Sequence, residues 1–444
     1  MKIEVKNGRI IDPSQGLDAF GDIMLDDGRI AEVVTRKPKQ NPEIKKKDLM
    51  NPQPSLVARV SENHIIINAN RMIVTPGLID MHVHLREPGF EHKETIKTGT
   101  MAAVKGGFTT VCCMPNTFPV NDNASVTEFI KRKASQEGYC SVLPIGAITK
   151  GQKGTELAEI GTMRKEGCIA FSDDGQPVTN SLIMRRALEY SKAFDVPVIS
   201  HSEDLSLSEG GVMNEGLLSV TLGLKGSPAE AEQIMIFRDI ILAELTAGKL
   251  HIAHVSTKGS VDLIRLAKQR GVRATAETCP HYFSITEQAV RGYDTDAKVN
   301  PPLRTEQDVE AIQQGLQDGT IDVIATDHAP HHRDEKLREF DIAPSGISGL
   351  ETALALSLRL VDKGILTYSQ LIEKMALNPG RILDIEKGSL KEGSDADIVI
   401  IDVNKKFVVD PGTFISRGRN TPFKGWLLKG VPVVTIVRGT VYEW

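Results

Sequence analysis

The chain has 444 residues, 40% of them hydrophobic, 25% charged and 5% aromatic, which is the make-up of a globular protein with room for one large domain and a smaller one. A formal charge of -5 excludes a global basic field, so neither nucleic acid nor an anionic membrane surface is an expected partner, and an anionic substrate has to be caught by local groups. The five cysteines (Cys112, Cys113, Cys140, Cys168 and Cys279) form no C-x-x-C pair and sit in or beside apolar segments, so they read as reduced packing residues.

From the N-terminus, Lys2–Val5 and Arg9–Ile11 predict short strands on either side of a turn at Asn7-Gly8. Asp22–Leu25, a turn at Asp26-Asp27-Gly28 and Arg29–Val34 complete a small antiparallel β layer. The first residues alternate like a strand and lack a signal-peptide core, and no apolar run approaches the ~20 residues of a membrane span, so a cytoplasmic location is expected. Between residues 37 and 63 the composition turns to Lys, Pro, Asn and Gln, including Lys45-Lys46-Lys47, which predicts an exposed insertion. Strand signal resumes at His64–Asn68 and Met72–Val74.

After Pro76 short apolar runs alternate with amphipathic segments. Strands are predicted at Leu78–His84, Thr109–Met114, Ser141–Ala147, Cys168–Ser172, Pro197–His201, Leu250–His254, Arg273–Glu277 and Asp322–Asp327. Helical patterns include Ser125–Ser135, Ser181–Ala193, Ala229–Ala247, Ser260–Arg270, Glu306–Leu316 and Gly349–Leu360. Continuous apolar strands are buried on both faces, so the pattern points to an α/β fold of the TIM-type (β/α)8 barrel class. An open doubly wound sheet is the alternative.

The chemistry starts at Pro76–Pro88. Side chains alternate across a strand, so His82 and His84 leave the backbone on one side. They are either a hydrogen-bonded core pair or two ligands of one metal ion. The remaining candidates favour the ion. Asp173-Asp174 follows the fourth strand, and His201, His254 and Asp327 close the fifth, sixth and eighth. In a barrel these C-terminal edges form one ring at the mouth, where residues far apart in sequence become neighbours. Neutral imidazoles and carboxylates suit zinc.

With these residues in view the chain resembles the amidohydrolase superfamily and, within it, the dihydroorotases of the bacterial class I type. The resemblance is carried by PGLIDMHVHLREP at 76–88, Met114-Pro115-Asn116, Ser172–Gly175, Ser200–Glu203, His254-Val255-Ser256, ETCPH at 277–281, VNPPLR at 299–304 and ATDHAPH at 325–331. It implies that the N-terminal layer (1–75) is completed by residues 390–444 into a small composite β-sandwich beside a metal-dependent barrel at 76–389. Strand signals at Asp397–Asp402 and Val431–Val437 agree.

The resemblance further implies one zinc ion held by His82, His84, Asp174 and Asp327 and a second by His201, His254 and Asp174, a lone-metal site being the alternative. Asp174 takes the bridging place that a carboxylated lysine fills in many relatives, leaving Asp173 to cap the following turn. Asp327 is the general base that takes a proton from the attacking water and returns it to the leaving ring nitrogen. Arg86, Asn116, Asn300, His331, Ser345 and Gly346 are the implied substrate contacts, although many relatives carry an aromatic residue where Ser345 stands. The implied reaction is the reversible opening of dihydroorotate, a small-molecule substrate, to N-carbamoyl-aspartate, by a homodimer. Rivals are a hydantoinase, dihydropyrimidinase or allantoinase activity, and a non-catalytic superfamily relative.

Overall fold

Eight apolar runs become short parallel strands: Leu78–Val83, Phe108–Cys113, Ser141–Gly146, Ala170–Ser172, Val198–Ser200, Leu250–Ile252, Ala274–Thr278 and Val323–Ile324. The structure, a computed structural model, describes residues 1–36, 56–61 and 63–444. Each of these strands pairs with its neighbours in chain order, and the connecting helices pack outside. Leu78–Val83 and Phe108–Cys113 are buried at every position, which is why their sequences show no polar alternation. Asn123, Asn180 and Thr257 accept hydrogen bonds from the first free amides of the helices Ala124–Glu137, Ser181–Ser191 and Lys258–Gln269, each cap stabilising its helix by about 1 kcal/mol.

Closure between the eighth strand and the first is not a regular ladder. Val83 bridges His328, and the His84 amide donates to the His328 carbonyl at 2.8 Å. Below them the buried Asp80 carboxylate accepts from the Thr326 amide at 3.1 Å, the Thr326 hydroxyl at 2.6 Å and the His82 amide at 3.1 Å. One side chain of the first strand thereby fixes the approach to Asp327.

The barrel strands end one to three residues earlier than several predicted ends. Asp322–Asp327 shrinks to Val323–Ile324 because the chain leaves the ladder to turn side chains into the mouth. His254 and Asp327 have φ of 34° and 45°, a left-handed conformation that ends strand pairing.

The predicted Asn7-Gly8 turn is a β-bulge instead. Lys2–Asp12 is one strand whose register against Leu17–Asp26 shifts between Val5 and Gly8, with Asn7 at φ 63°, a conformation Asn tolerates. A Cβ on Gly8 would collide with Val74. Along its other edge this strand pairs first with His64–Asn68 and then with Ile73–Pro76. The C-terminal strands Ile398–Val408, Leu427–Val437 and Thr440–Glu443 join at Ile73–Pro76. Both ends of the chain thus build one mixed sheet whose strands share a core including Ile3, Ile10, Ile23, Ile67, Ile398 and Ile436. Where a two-layered composite sandwich was expected, the described strands form one continuous sheet that branches at Lys2–Asp12.

The expected insertion at 37–63 is too wide, because Val57–Ser61 pairs antiparallel with His64–Asn68. Residues 37–55, with Lys45–Lys47, lie outside the described residues. The sheet feeds the site directly: Ile73–Pro76 passes through Gly77, where a Cβ would strike Thr109, into the strand carrying His82. Among the described residues no helix is long and apolar enough to cross a membrane.

Asp80→Ala orphans three buried donors at about 1–3 kcal/mol each, so we predict an unfolding free energy lower by about 3 kcal/mol or more, read from denaturant titration. Asp80→Asn, which keeps one acceptor oxygen, should lose less. An unshifted Asp80→Ala midpoint would contradict the closure role.

Candidate active site

Asp174 stands at the meeting point of four histidines. Its Oδ1 lies 3.3 Å from His82 Nε2, 3.5 Å from His201 Nδ1 and 3.4 Å from His254 Nε2, and its Oδ2 lies 3.4 Å from His84 Nε2. Asp327 Oδ1 approaches His84 Nε2 at 3.1 Å and His82 Nε2 at 3.4 Å. All six side chains are buried. They come from the ends of the first, fourth, fifth, sixth and eighth strands, as their sequence positions require. Asp173 points elsewhere, but not to the turn it was expected to cap. Its carboxylate accepts from the amides of Ile148 and Thr149 at 2.8 and 3.0 Å and from the Thr149 hydroxyl, tying the loop after the third strand to the fourth.

Each of three histidines is aimed by a partner on its far nitrogen, which fixes both ring orientation and tautomer. His82 Nδ1 donates to Glu277 Oε1 at 2.6 Å, His84 Nδ1 to Asn116 Oδ1 at 2.9 Å and His201 Nε2 to Glu203 Oε2 at 3.1 Å. Glu277 also accepts from His251 Nε2 at 3.2 Å, and His251 Nδ1 lies 2.8 Å from the Thr275 hydroxyl. Asn300 donates to Glu203 at 3.0 Å. Asn116 and Asn300 therefore reach the site partly as supports of histidines. Glu203 and Glu277 lie in motifs that carry the resemblance but had no expected place in the site, and His251 was not singled out. The available signal was a carboxylate at 277 within a barrel strand, two positions from Thr275.

These residues fit a divalent metal. Tetrahedral donors at the roughly 2.0–2.2 Å bonds of zinc stand about 3.3–3.6 Å apart, close to most of the separations above. His82, Asp174 and His254 form one group of convergent ligand atoms, and His82, His84 and Asp327 another. His201 Nδ1 and His254 Nε2 converge to 2.9 Å beside Asp174. His82 Nε2 and Asp174 Oδ1 are buried and make no well-aligned hydrogen bond.

The electrostatics ask for positive charge at the same point. Against the cost of burial, the charge on His82 and the close approach of the His201 and His254 ring nitrogens hold Asp174 well below the ordinary carboxylate range. Burial likewise opposes ionisation of Asp327, yet His82 and His84 lower it. His201 is carried up to about 10 despite burial by Asp174 and Glu203, while burial lowers His84. A divalent cation supplies the charge these carboxylates attract and displaces the histidine protons.

Above the cluster opens a cavity of about 680 Å³, lined by Arg86, Asn116, Asn300, His331, Ser345 and Gly346 among others. All six predicted substrate contacts border it. Arg86 has φ 61° and donates to the Pro330 carbonyl at 3.3 Å. Its Nη2 stands 3.4 Å from His331 Nε2, and among the described residues no carboxylate lies within ion-pair distance of it. Burial lowers its pKa to about 10, which leaves it charged at neutral pH.

A profile of the dihydro-orotase-like family matches residues 70–260. The chain is 55% identical over 441 residues to the dihydroorotase of Geobacter metallireducens, covering 99% of both chains. It is 54% identical over 438 residues to that of Acetivibrio thermocellus, covering 98% of both. Among solved structures it superposes on the L-hydantoinase (dihydropyrimidinase) of Arthrobacter aurescens with a TM-score of 0.84 at 25% identity, covering 99% of this chain and 96% of that one. The dihydropyrimidinase of Brevibacillus agri gives 0.81 at 21%, covering 99% and 95%, a likeness of fold. Full-length identity above one half to dihydroorotases, together with a barrel that gathers four histidines and two aspartates at its mouth, establishes that the chain belongs to the dihydroorotase family.

Proposed function

We propose that the cavity above Asp174 is where this chain carries out its family's reaction, the reversible hydrolytic opening of (S)-dihydroorotate to N-carbamoyl-L-aspartate, the cyclic step of pyrimidine synthesis. The observation that carries the substrate assignment is the half-buried, charged Arg86 guanidinium, which has no carboxylate within ion-pair distance among the described residues. A planar fork of donors matches one substrate carboxylate bidentately. Hydantoins and dihydropyrimidines lack that group and would leave the guanidinium desolvated and unpaired.

His82, His84, Asp174 and Asp327 would hold one zinc ion, and His201, His254 and Asp174 a second. The chemistry such ions supply when bound is a water acidified to a pKa of about 7 and a polarised carbonyl. Asp327 faces that point from the rim of the eighth strand, where its carboxylate takes the proton of the attacking water. It then hands the proton to the ring nitrogen as the amide C–N bond breaks. His84 beside it is kept neutral by burial, so it does not compete as a proton donor. Glu277, through His82, keeps the first ligand facing the ion.

A homodimer is supported by the helix Glu230–Thr246, whose Ile234, Phe237, Ile241 and Leu245 form an outward apolar stripe 44–62% exposed. Five buried free cysteines support a reducing, cytoplasmic setting.

Four outcomes test this reading. The purified enzyme should turn over dihydroorotate and not dihydrouracil, and Arg86→Lys should cut kcat/KM on dihydroorotate by about 100-fold with a raised KM. Equal turnover of the two substrates, or an unaltered Arg86→Lys, would sink the carboxylate assignment. His82→Ala should abolish turnover after metal reconstitution while keeping the native circular dichroism spectrum, and full activity would remove it from the ligand set. Glu277→Gln should weaken metal affinity about 10–100-fold in chelator competition, and an affinity equal to wild type would leave Glu277 without its orienting role.

A further inference from the structure

Two lysines at the mouth are buried to 6% exposure without an acidic partner within ion-pair distance among the described residues. Lys298 directs its ammonium to the carbonyls of Phe340 and Asp341, at 2.7 and 2.9 Å. Lys336 directs its own to the carbonyls of Pro344 and Gly346, at 2.9 and 3.3 Å. The Gly346 amide returns a bond to the Lys298 carbonyl at 2.9 Å. All of these carbonyls belong to one segment, 340–346, that has no helix or strand of its own.

Burying an unpaired ammonium is costly, and burial lowers both groups, Lys336 to about 8. An apolar side chain would fill the same space without that cost. An ammonium adds three donors that gather carbonyls an irregular segment cannot pair internally.

The segment matters because of what it touches. Asp341, Ser345 and Gly346 border the cavity, and the Ser345 carbonyl accepts from His331 Nε2 at 2.8 Å. That bond places the ring proton on Nε2 and sets the imidazole beside Arg86 Nη2, 3.4 Å away. The chain of contacts runs from the lysines through the segment to the side chains that face the substrate carboxylate.

We propose that Lys298 and Lys336 are positioning residues that brace segment 340–346 against the barrel mouth, so that the Ser345 carbonyl holds His331 in the orientation the substrate carboxylate meets. The proposal rests on the reading of Arg86 and His331 as the carboxylate site. It assigns neither lysine a step in the chemistry.

Lys298→Met and Lys336→Met, which keep length and lose every donor, test it in the full-length, metal-loaded enzyme. Amide hydrogen exchange in peptides covering 338–346 should accelerate about 10-fold, and KM for dihydroorotate should rise about 10-fold while kcat and bound metal stay within about twofold. Lys336→Arg, which keeps charge and donors, should recover part of the protection. Unchanged exchange in 338–346 overturns the brace whatever KM does. Faster exchange with an unchanged KM overturns its link to His331. Should Lys298→Met fail to fold, Lys298→Gln is read by the same two measurements. Failure of the carboxylate reading shows separately, as an Arg86→Lys enzyme with wild-type KM, and leaves the exchange result standing.

Discussion

The carboxylate of Asp174 touches ring nitrogens of His82, His84, His201 and His254, and the rest of the molecule is arranged to make that meeting possible. Five strands must end at one height around a common axis, which only a closed parallel barrel provides. The buried carboxylates need a positive partner, because an isolated charge in such surroundings costs far more than the fold's net stability can absorb. His254, Asp327 and Arg86 sit in the left-handed region, each at a cost of about 1–3 kcal/mol. Strain of this kind persists where surrounding contacts over-determine the backbone, as the closure bonds from Asp80 to Thr326 do beside Asp327.

The ligand cluster was legible because its logic is positional. His82, His84, Asp174, His201, His254 and Asp327 each follow an apolar run, and a barrel converts that regularity into proximity without knowledge of any particular contact. The strands were legible for a related reason, since burial on both faces leaves an unbroken apolar signature. Other features depend on partners that local pattern does not encode. Asn7-Gly8 has the chemistry of a turn and is a bulge, because the strand has a neighbour waiting at Ile73–Pro76. Val57–Ser61 pairs as a strand next to a composition that reads as loop. Glu277 orients a histidine 195 positions away, and the brace lysines gain meaning only from carbonyls of a segment 8–43 positions distant.

The fold is shared with hydantoinases and dihydropyrimidinases, so the barrel does not choose the substrate. The proposed choice lies in the mouth loops, where Arg86 has no carboxylate partner among the described residues and His331 is set by the Ser345 carbonyl. The histidines and aspartates below would hold a divalent metal that offers the same chemistry to any cyclic amide. On the proposed reading, rejection of uncharged rings would follow from the cost of leaving Arg86 desolvated and unpaired.

The central claim is that Asp174 bridges two ions. Anomalous diffraction at the zinc edge from crystals of the zinc-loaded protein tests it most directly. Two peaks are predicted, one within bonding distance of His82, His84 and Asp327, the other of His201 and His254, with Asp174 reaching both. Peaks elsewhere, or none beside Asp174, would contradict the account.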